Sequence, residues 1–331
     1  MKVPFTWRPT GWFQVAWSAD IPLATVRPMK YFGRHMVGYR DESGEVHVLD
    51  AHCPHLGAHL GHGGKVVGDC VVCPYHGWGF GPDGVNRFIP YEDRPNPSHP
   101  IRPWVTKELN GCIFVWHHPT GEPPSWDLPS VFDAFPEQPA NADDYYRCYP
   151  ELSAVWRNEP LHPQIPMENA PDGIHFRYVH AATVDPVLMN FDMTHHEFRT
   201  RTGWPVPDGD GERMALILDS VNFGVGGTYS IFTGTYTYRL ALFTTPVDDT
   251  CSDMHYSIWW PKEDGDTGEI VPDRTRSFVE RRYLVTPEED FVIWRNQIYI
   301  EHPALAQRDA KPYGALRKWA RNFYDEPPLV A

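Results

Sequence analysis

The most informative part of the chain is residues 53–78, which have the sequence CPHLGAHLGHGGKVVGDCVVCPYHGW. This stretch begins with Cys53-Pro54-His55 and ends near Cys73-Pro74-Tyr75-His76, so each end offers one thiolate and one imidazole. The residues between the two motifs are rich in glycine, which permits tight turns around a metal centre. The pattern therefore predicts a metal centre with Cys53, His55, Cys73 and His76 as its ligands.

Two kinds of metal centre fit this ligand set. A zinc site can be drawn because Cys70-x-x-Cys73 has the spacing of a zinc-binding pair. A zinc ribbon normally needs a second pair of that kind, which the sequence lacks. A Rieske-type [2Fe–2S] cluster instead needs two cysteines on one iron and two histidines on the other. The sequence therefore favours the Rieske cluster, with Cys70 as an ordinary strand residue.

The six cysteines of the chain and its N-terminus bear on where the protein works. Three of the cysteines crowd into the region around residues 53–73 together with several histidines. The N-terminus lacks a long apolar core followed by a cleavage signal. Such clustering without an export signal indicates metal binding rather than a disulfide framework. No stretch approaches the roughly 20 apolar residues that span a bilayer. We therefore expect a cytoplasmic protein with no membrane span.

The net charge of −14 is unevenly distributed. Residues 1–125 hold 11 basic and 11 acidic side chains, whereas residues 126–331 hold 18 basic and 32 acidic ones. Phosphate binding needs clustered Lys and Arg, so nucleic acid and anionic membranes are not expected partners. The acidic excess then has two possible roles: it keeps the protein soluble, or it docks a basic partner protein.

The length of 331 residues predicts about two domains. Prolines cluster between residues 119 and 139, which places the boundary near residue 125. Residues 1–125 have the short, glycine-punctuated strands of an all-β domain, and residues 126–331 mix alternating strands with late helices. The sequence therefore predicts the α+β class, with an all-β domain at 1–125 and a catalytic domain at 126–331.

A second group of polar residues lies in residues 168–180, ENAPDGIHFRYVH. His175 and His180 are five residues apart and would point about 140° from each other on a regular helix. They converge on one metal ion only if the helix ends or bulges between them. Asp172 lies one turn before His175, so we expect Asp172 to hold and polarise that imidazole.

These two groups of residues together resemble the Rieske non-haem iron oxygenases. Respiratory-chain Rieske proteins carry an extra cysteine in each motif, where this sequence has Ala58 and Tyr75. The resemblance implies that His175 and His180 bind a catalytic Fe(II) and that Asp172 links the two metal sites. It also implies an N-terminal Rieske domain and a catalytic domain of the helix-grip kind, an antiparallel sheet with helices.

The resemblance implies a third iron ligand, a carboxylate on a late helix. Two histidines and one carboxylate on one side of Fe(II) leave positions open for O₂. Residues 288–294, EEDFVIW, fit this helix, which is expected to start after Thr286. Asp290 is preferred because Asp290-x-x-Ile-Trp resembles the segment of the steroid-acting members. Glu288 and Glu289 remain alternatives.

Residues 284–325 resemble the C-terminus of 3-ketosteroid 9α-hydroxylase oxygenase components. The Asn169-x-x-Asp172 spacing agrees with that group and makes Asn169 a further candidate catalytic residue. By contrast, Pro54 and Gly77 are more like cholesterol 7-desaturase and general ring-hydroxylating enzymes. Residues 181–280, which should line the substrate pocket, have no recognisable identity.

The resemblance implies the terminal oxygenase component of a multicomponent monooxygenase. Electrons would pass from NADH or NADPH through a ferredoxin reductase, which carries flavin and iron–sulfur groups, to the [2Fe–2S] cluster. They would then reach the mononuclear iron, which activates O₂ to hydroxylate or desaturate a bulky apolar substrate such as a steroid or sterol. The cluster of one subunit would serve the iron of its neighbour in a homotrimer. Asp172 would then bridge His76 of one chain and His175 of the next.

Three alternatives stay open at this point. One is a Rieske oxygenase that acts on an aromatic ring or another small molecule. A second is an electron-transfer protein without oxygenase activity, which the motifs in residues 53–78 alone would permit. A third is a ligand-binding module with a vestigial metal site. The carboxylate and histidines at 168–180 and 290 favour the oxygenase over the electron-transfer protein.

Overall fold

Four antiparallel sheets form the protein in the computed structural model, which describes residues 2–207, 209 and 211–324. Three of these sheets lie in the N-terminal part, with strand orders β1-β11-β10, β2-β3-β4-β9 and β5-β6-β7-β8. The strands are β1 (Gly11–Trp17), β2 (Val26–Tyr31), β3 (Arg34–Arg40), β4 (Val46–Asp50), β5 (Lys65–Val67), β6 (Cys70–Val72), β7 (Gly79–Phe80), β8 (Asn86–Phe88), β9 (Pro103–Trp104), β10 (Thr106–Leu109) and β11 (Cys112–His117).

The fourth sheet has seven strands in the order β12-β18-β17-β16-β15-β14-β13. Its strands are β12 (Ser153–Glu159), β13 (Val187–Met193), β14 (Glu197–Pro205), β15 (Met214–Phe223), β16 (Gly227–Thr233), β17 (Thr237–Pro246) and β18 (Ser252–Trp259). The helices are α1 (Gln164–Met167), α2 (His175–Tyr178), α3 (Asp273–Val279), α4 (Thr286–Trp294) and α5 (Gln307–Ala320). A π-helical turn, Glu280–Leu284, joins α3 to α4, and short 3₁₀ turns cover Ser18–Asp20, Ala142–Asp144 and Arg321–Phe323.

One hydrophobic core joins the N-terminal sheets to the seven-stranded sheet. Trp12 of β1 packs with Trp126 and Phe132 of the connecting segment, and with Phe223 and Phe243 of the large sheet. The indole nitrogen of Trp12 donates to the carbonyl of Trp126 at 3.1 Å. Each buried aromatic or aliphatic side chain of this size contributes about 1.5–3 kcal/mol. The aromatic residues of the proline-rich segment therefore fix the two parts of the chain against each other.

The two faces of the large sheet have different neighbours because side chains alternate along each strand. Val221 and Phe223 of β15 point into the core shared with the N-terminal part. The residues between and before them, such as Leu218, Ser220 and Asn222, line a cavity on the opposite face. One face of the sheet therefore packs in the hydrophobic core, and the other face lines the candidate site.

The predicted fold class is confirmed, since an all-β N-terminal part is followed by a sheet-rich part with few helices. Residues 286–294 form a helix, as the sequence predicts. The division at residue 125 stays a prediction. Among the described residues, no helix is both long and apolar enough to cross a membrane.

Candidate metal centres and the cavity beside them

The two cysteine–histidine motifs form turns of the same design. The first follows β4 and the second follows β6. In the first turn the N–H of Gly57 donates to the carbonyl of Cys53 at 2.8 Å, and in the second Gly77 donates to Cys73 at 3.0 Å. Both glycines have positive φ, 77° and 75°, a region that favours glycine. The repeated turn brings one thiol and one imidazole from each motif to one place.

The four side chains have the chemistry that a [2Fe–2S] cluster needs. Cys53 and Cys73 are buried, and the rings of His55 and His76 lie 4.6 Å apart between centroids. Burial and the adjacent Cys73 thiol raise the pKa of Cys53 to about 11, although main-chain N–H groups oppose this shift. The Nδ1 of His76 is buried without a hydrogen-bond partner among the described residues. A buried nitrogen normally has a partner, and an iron ion would supply one here.

The tip of this site is exposed and apolar. Leu56 is 64% exposed and Tyr75 is 63% exposed, next to the two histidines in sequence. The ring of His55 stacks on Trp78 at 4.6 Å, and the indole nitrogen of Trp78 donates to the hydroxyl of Tyr91 at 2.7 Å. Exposed apolar side chains at a redox centre are typical of a surface that another protein covers.

The second group of candidate ligands converges because a helix ends within it. The helix α2 begins at His175 and stops at Tyr178, and Ala181 has a left-handed φ of 51°. His180 therefore lies beyond the helix instead of on its far side. Donor atoms of His175, His180 and Asp290 all lie within 4.8 Å of one another. The helix therefore ends between His175 and His180, which is the condition under which the two histidines can share one metal ion.

Both histidines hold their Nδ1 protons away from this point of convergence. The Nδ1 of His175 donates to the main-chain carbonyl of Asp172, and the Nδ1 of His180 donates to a Glu289 carboxylate oxygen at 2.7 Å. A carbonyl and a carboxylate only accept hydrogen bonds, so each Nδ1 carries a proton. This leaves the Nε2 atoms on the side of the convergence, where that of His180 lies 3.3 Å from an oxygen of Asp290. These tautomers suit metal binding through Nε2.

The two imidazoles sit in different electrostatic surroundings. Burial lowers the pKa of His175, against the opposing effect of Asp172 and Asp290. The pKa of His180 is raised, because the Asp290 and Glu289 carboxylates, which accept hydrogen bonds from its ring, outweigh the effect of burial. Both residues thus sit close to carboxylates that could balance the charge of a divalent cation.

The three carboxylates of α4 have separate environments. Asp290 is buried, and one of its oxygens accepts from the amide of Asn169 at 3.2 Å. Glu289 is exposed and contacts the outer nitrogen of His180, while Glu288 accepts from the indole of Trp156 at 3.4 Å. Of the three, only Asp290 belongs to the group of converging donors. The contact of Glu289 with His180 was not anticipated from the sequence.

Asp172 contacts His175 differently from the expectation. The imidazole binds the carbonyl of Asp172, because α2 starts three residues later and the ring folds back over that turn. From the described part of the chain the carboxylate accepts two long bonds, 3.3 Å from the main-chain N–H of His175 and 3.4 Å from the hydroxyl of Tyr313. Burial and the Asp172 charge raise the pKa of Tyr313. Within the described residues no hydrogen bond joins Asp172 to His76 of the same chain.

A cavity of about 150 Å³ opens beside the three donors. His175, His180 and Asp290 form one of its walls, and the large sheet forms another with Leu218, Leu240 and other residues. A second cavity of about 450 Å³ adjoins it and shares Phe176, His180, Phe232 and Thr286 with the first. Small-molecule sites usually have volumes of about 300–1,000 Å³, which the inner cavity reaches only together with the outer one.

Known proteins are similar to this chain in sequence and in fold over nearly its whole length. The family model of the Rieske [2Fe–2S] domain matches residues 11–106, and that of the 3-ketosteroid 9alpha-hydroxylase C-terminal domain matches residues 115–324. Cholesterol 7-desaturase of Xenopus laevis is 29% identical over 349 aligned positions, covering 96% of this chain and 72% of the relative. A 3-ketosteroid-9-alpha-monooxygenase oxygenase component of Rhodococcus rhodochrous is 27% identical, covering 95% and 83%.

The solved structure of dicamba monooxygenase bound to dicamba has the same fold. Its TM-score is 0.69 at 18% sequence identity, and the match covers 96% of this chain and 98% of that one. The fold and the matched domains together define a Rieske non-haem iron oxygenase, a class that uses a [2Fe–2S] cluster, a mononuclear iron and O₂.

Within that class, the chain belongs to the family defined by the 3-ketosteroid 9alpha-hydroxylase C-terminal domain. It is a terminal oxygenase component, so a reductase supplies its electrons. The predicted class, cofactors and relationship are therefore confirmed, and the reading as an electron carrier without oxygenase activity is not supported.

Proposed function

We propose that this oxygenase hydroxylates or desaturates a steroid or sterol, with an iron held by His175, His180 and Asp290. The observation that carries the proposal is the convergence of these donors within 4.8 Å in the wall of a cavity. Two neutral imidazoles and one carboxylate bind Fe(II) on one side and leave the cavity side open. Cys53, His55, Cys73 and His76 would hold the [2Fe–2S] cluster.

The residues around the iron ligands have positioning roles in this proposal. The main chain of Asp172 and the carboxylate of Glu289 orient the two imidazoles through their Nδ1 protons. The amide of Asn169 holds one oxygen of Asp290, which leaves the other facing His180. When bound, the cluster and the iron supply single-electron transfer and O₂ activation.

The steroid or sterol assignment rests on the relatives and on the cavity. The relatives named above include cholesterol 7-desaturase and 3-ketosteroid-9-alpha-monooxygenase components. The inner and outer cavities adjoin, and Phe176 and Phe232 line both of them. A bulky apolar substrate would extend through both cavities and displace water from the iron site.

We also propose a homotrimer in which Asp172 joins His76 of one subunit to His175 of the next. Within the described residues the Asp172 carboxylate makes two hydrogen bonds, both long, so it retains capacity to accept another. Tyr178 near Asp172 is 83% exposed, and Leu56 and Tyr75 are exposed at the cluster tip. Contact between these two apolar surfaces would cover both.

A steroid panel tests the proposed function. The protein is loaded with iron and cluster, supplied with NADH and a surrogate ferredoxin reductase, and products are identified by mass spectrometry. We expect oxygen-dependent hydroxylated or desaturated products from at least one ketosteroid or sterol. His175→Ala should abolish them and remove the mononuclear iron, while the visible spectrum of the cluster persists. Turnover confined to small aromatic acids would contradict the steroid assignment.

A further inference from the structure

A row of small polar side chains crosses the sheet wall of the inner cavity. Ser220 and Asn222 of β15 stand opposite Ser230 and Thr228 of β16 in the sheet register. Thr202 of β14 lies beside them, and all five residues line the cavity. Asn222 is fully buried, and Ser220, Ser230 and Thr202 are each at most 6% exposed. These groups are deep in the cavity and away from bulk water.

The pair Asn222–Thr228 and the pair Ser220–Ser230 differ in whether their hydroxyl protons all have an acceptor. Thr228 donates its hydroxyl proton to the amide oxygen of Asn222 at 2.5 Å, so this pair is internally matched. The hydroxyls of Ser220 and Ser230 lie 2.8 Å apart and make no other hydrogen bond among the described residues. Two hydroxyls carry two protons, and their mutual bond uses one. One serine proton therefore remains free to donate into the cavity.

Thr202 adds a second free donor next to the serine pair. Its hydroxyl makes no hydrogen bond within the described part of the chain, although the residue is only 2% exposed. Thr202 stands opposite Leu218, and Ser230 stands opposite Leu240, so apolar side chains flank the donors. A buried donor surrounded by apolar groups is unfavourable unless a partner reaches it. A ligand that carries a hydrogen-bond acceptor would therefore provide the partner that these hydroxyl donors lack.

We infer that Ser220, Ser230 and Thr202 recognise an oxygen acceptor at the end of the substrate that enters deepest. Within the proposed steroid or sterol class, these hydroxyls would favour substrates that carry a keto or hydroxyl oxygen at that end over analogues that lack it. This inference rests on the proposed function, because the iron ligands line the same cavity. The three hydroxyls act as specificity determinants, since they contact the substrate's oxygen and not the metal.

Equilibrium binding of three matched steroids tests this inference. The three share one skeleton and carry at one position a ketone, a hydroxyl or no oxygen. We expect the wild-type protein to bind one of the two oxygenated analogues about ten- to a hundredfold more tightly than the deoxy analogue. The ketone and hydroxyl arms identify which oxygen is preferred. Equal affinities, or no binding by any of the three, would overturn the inference.

Variants of the cavity residues then show which hydroxyls cause the preference for an oxygenated analogue. Ser220→Ala combined with Ser230→Ala removes both serine hydroxyls and should lower the ratio of affinities several-fold, and the further change Thr202→Val should bring it close to one. Thr228→Val is the matched control, because it removes a hydroxyl of the same cavity that is already committed to Asn222, and it should keep the ratio. An unchanged ratio in the double serine variant would refute the assignment. Turnover is measured separately, so a wild-type protein that binds selectively without forming product contradicts only the proposed function.

Discussion

Glu289 illustrates how one exposed side chain can act on a metal site that it does not enter. Its carboxylate accepts the Nδ1 proton of His180 at 2.7 Å, while Asp290, the next residue, is buried against the Nε2 side of the same ring. A carboxylate behind an imidazole fixes its orientation and raises its basicity as a ligand. In the proposed iron site, two adjacent acidic residues therefore have different roles, one toward the metal and one toward the imidazole.

Glu289→Ala should weaken iron binding about 10- to 100-fold, because it removes the acceptor that orients His180. The measurement is iron retention against a competing chelator, with metal content determined by mass spectrometry. Glu288→Ala is the matched control, since Glu288 contacts Trp156 and not a histidine of the site. Equal iron retention in the two variants would show that Glu289 does not position His180.

At the level of elements, the two cluster turns are alike in backbone but differ in their surroundings. Gly57 and Gly77 both have left-handed φ. A Cβ on Gly57 would meet nothing within 4 Å, whereas a Cβ on Gly77 would lie 2.7 Å from the Cγ of Pro90. The first turn is open to solvent, and the second is packed against a neighbouring loop.

The pair Gly57→Ala and Gly77→Ala should therefore separate backbone strain from steric conflict. Gly57→Ala bears only the left-handed strain of about 1–2 kcal/mol. Gly77→Ala bears the same strain together with the clash with Pro90, so it should show the larger fall in melting temperature and the greater loss of cluster absorbance. Identical losses in both variants would mean that the contact with Pro90 is relieved at no cost.

The sequence predicts local elements well and contacts between distant elements poorly. The turns at 53–78, the alternating strands after residue 126 and the helix from residue 286 each follow from patterns within a few neighbouring residues. The hydroxyl of Tyr313 in α5 contacts Asp172, and Arg317 of the same helix forms a two-point ion pair with Glu168, at 2.9 and 2.8 Å. No spacing rule joins residues 141 positions apart. The carbonyl contact of Asp172 likewise depends on where α2 begins.

For the whole molecule, the central question is how the two metal sites cooperate. The cluster donors lie in turns after β4 and β6, whereas the iron-site donors lie in α2, just after it and in α4. Among the described residues the Asp172 carboxylate has only long hydrogen bonds. A ring of subunits would bring the exposed cluster tip of one chain to the exposed Tyr178 region of the next. The acidic excess in residues 126–331 would lie on the catalytic parts of that ring.

Subunit mixing tests whether the bridge runs between chains. Cys73→Ser and Asp290→Ala should each be inactive alone, because one lacks the cluster and the other lacks an iron ligand. In mixed rings some sites combine the intact cluster of one chain with the intact Asp172 and Asp290 of the next, so activity should return as subunits exchange. If the mixture stays inactive although exchange is demonstrated by mass spectrometry, the two sites do not cooperate across subunits.

The most direct test of the account is the rate at which the reduced cluster is reoxidised in Asp172→Asn. Asparagine has nearly the size of aspartate but no charge, so both metals should stay bound while strong acceptance from two imidazoles is lost. After reduction by dithionite, addition of substrate and O₂ should reoxidise the cluster orders of magnitude more slowly than in the wild type, as followed by visible absorbance. Reoxidation at the wild-type rate would contradict the account, because electrons would then reach the iron without Asp172.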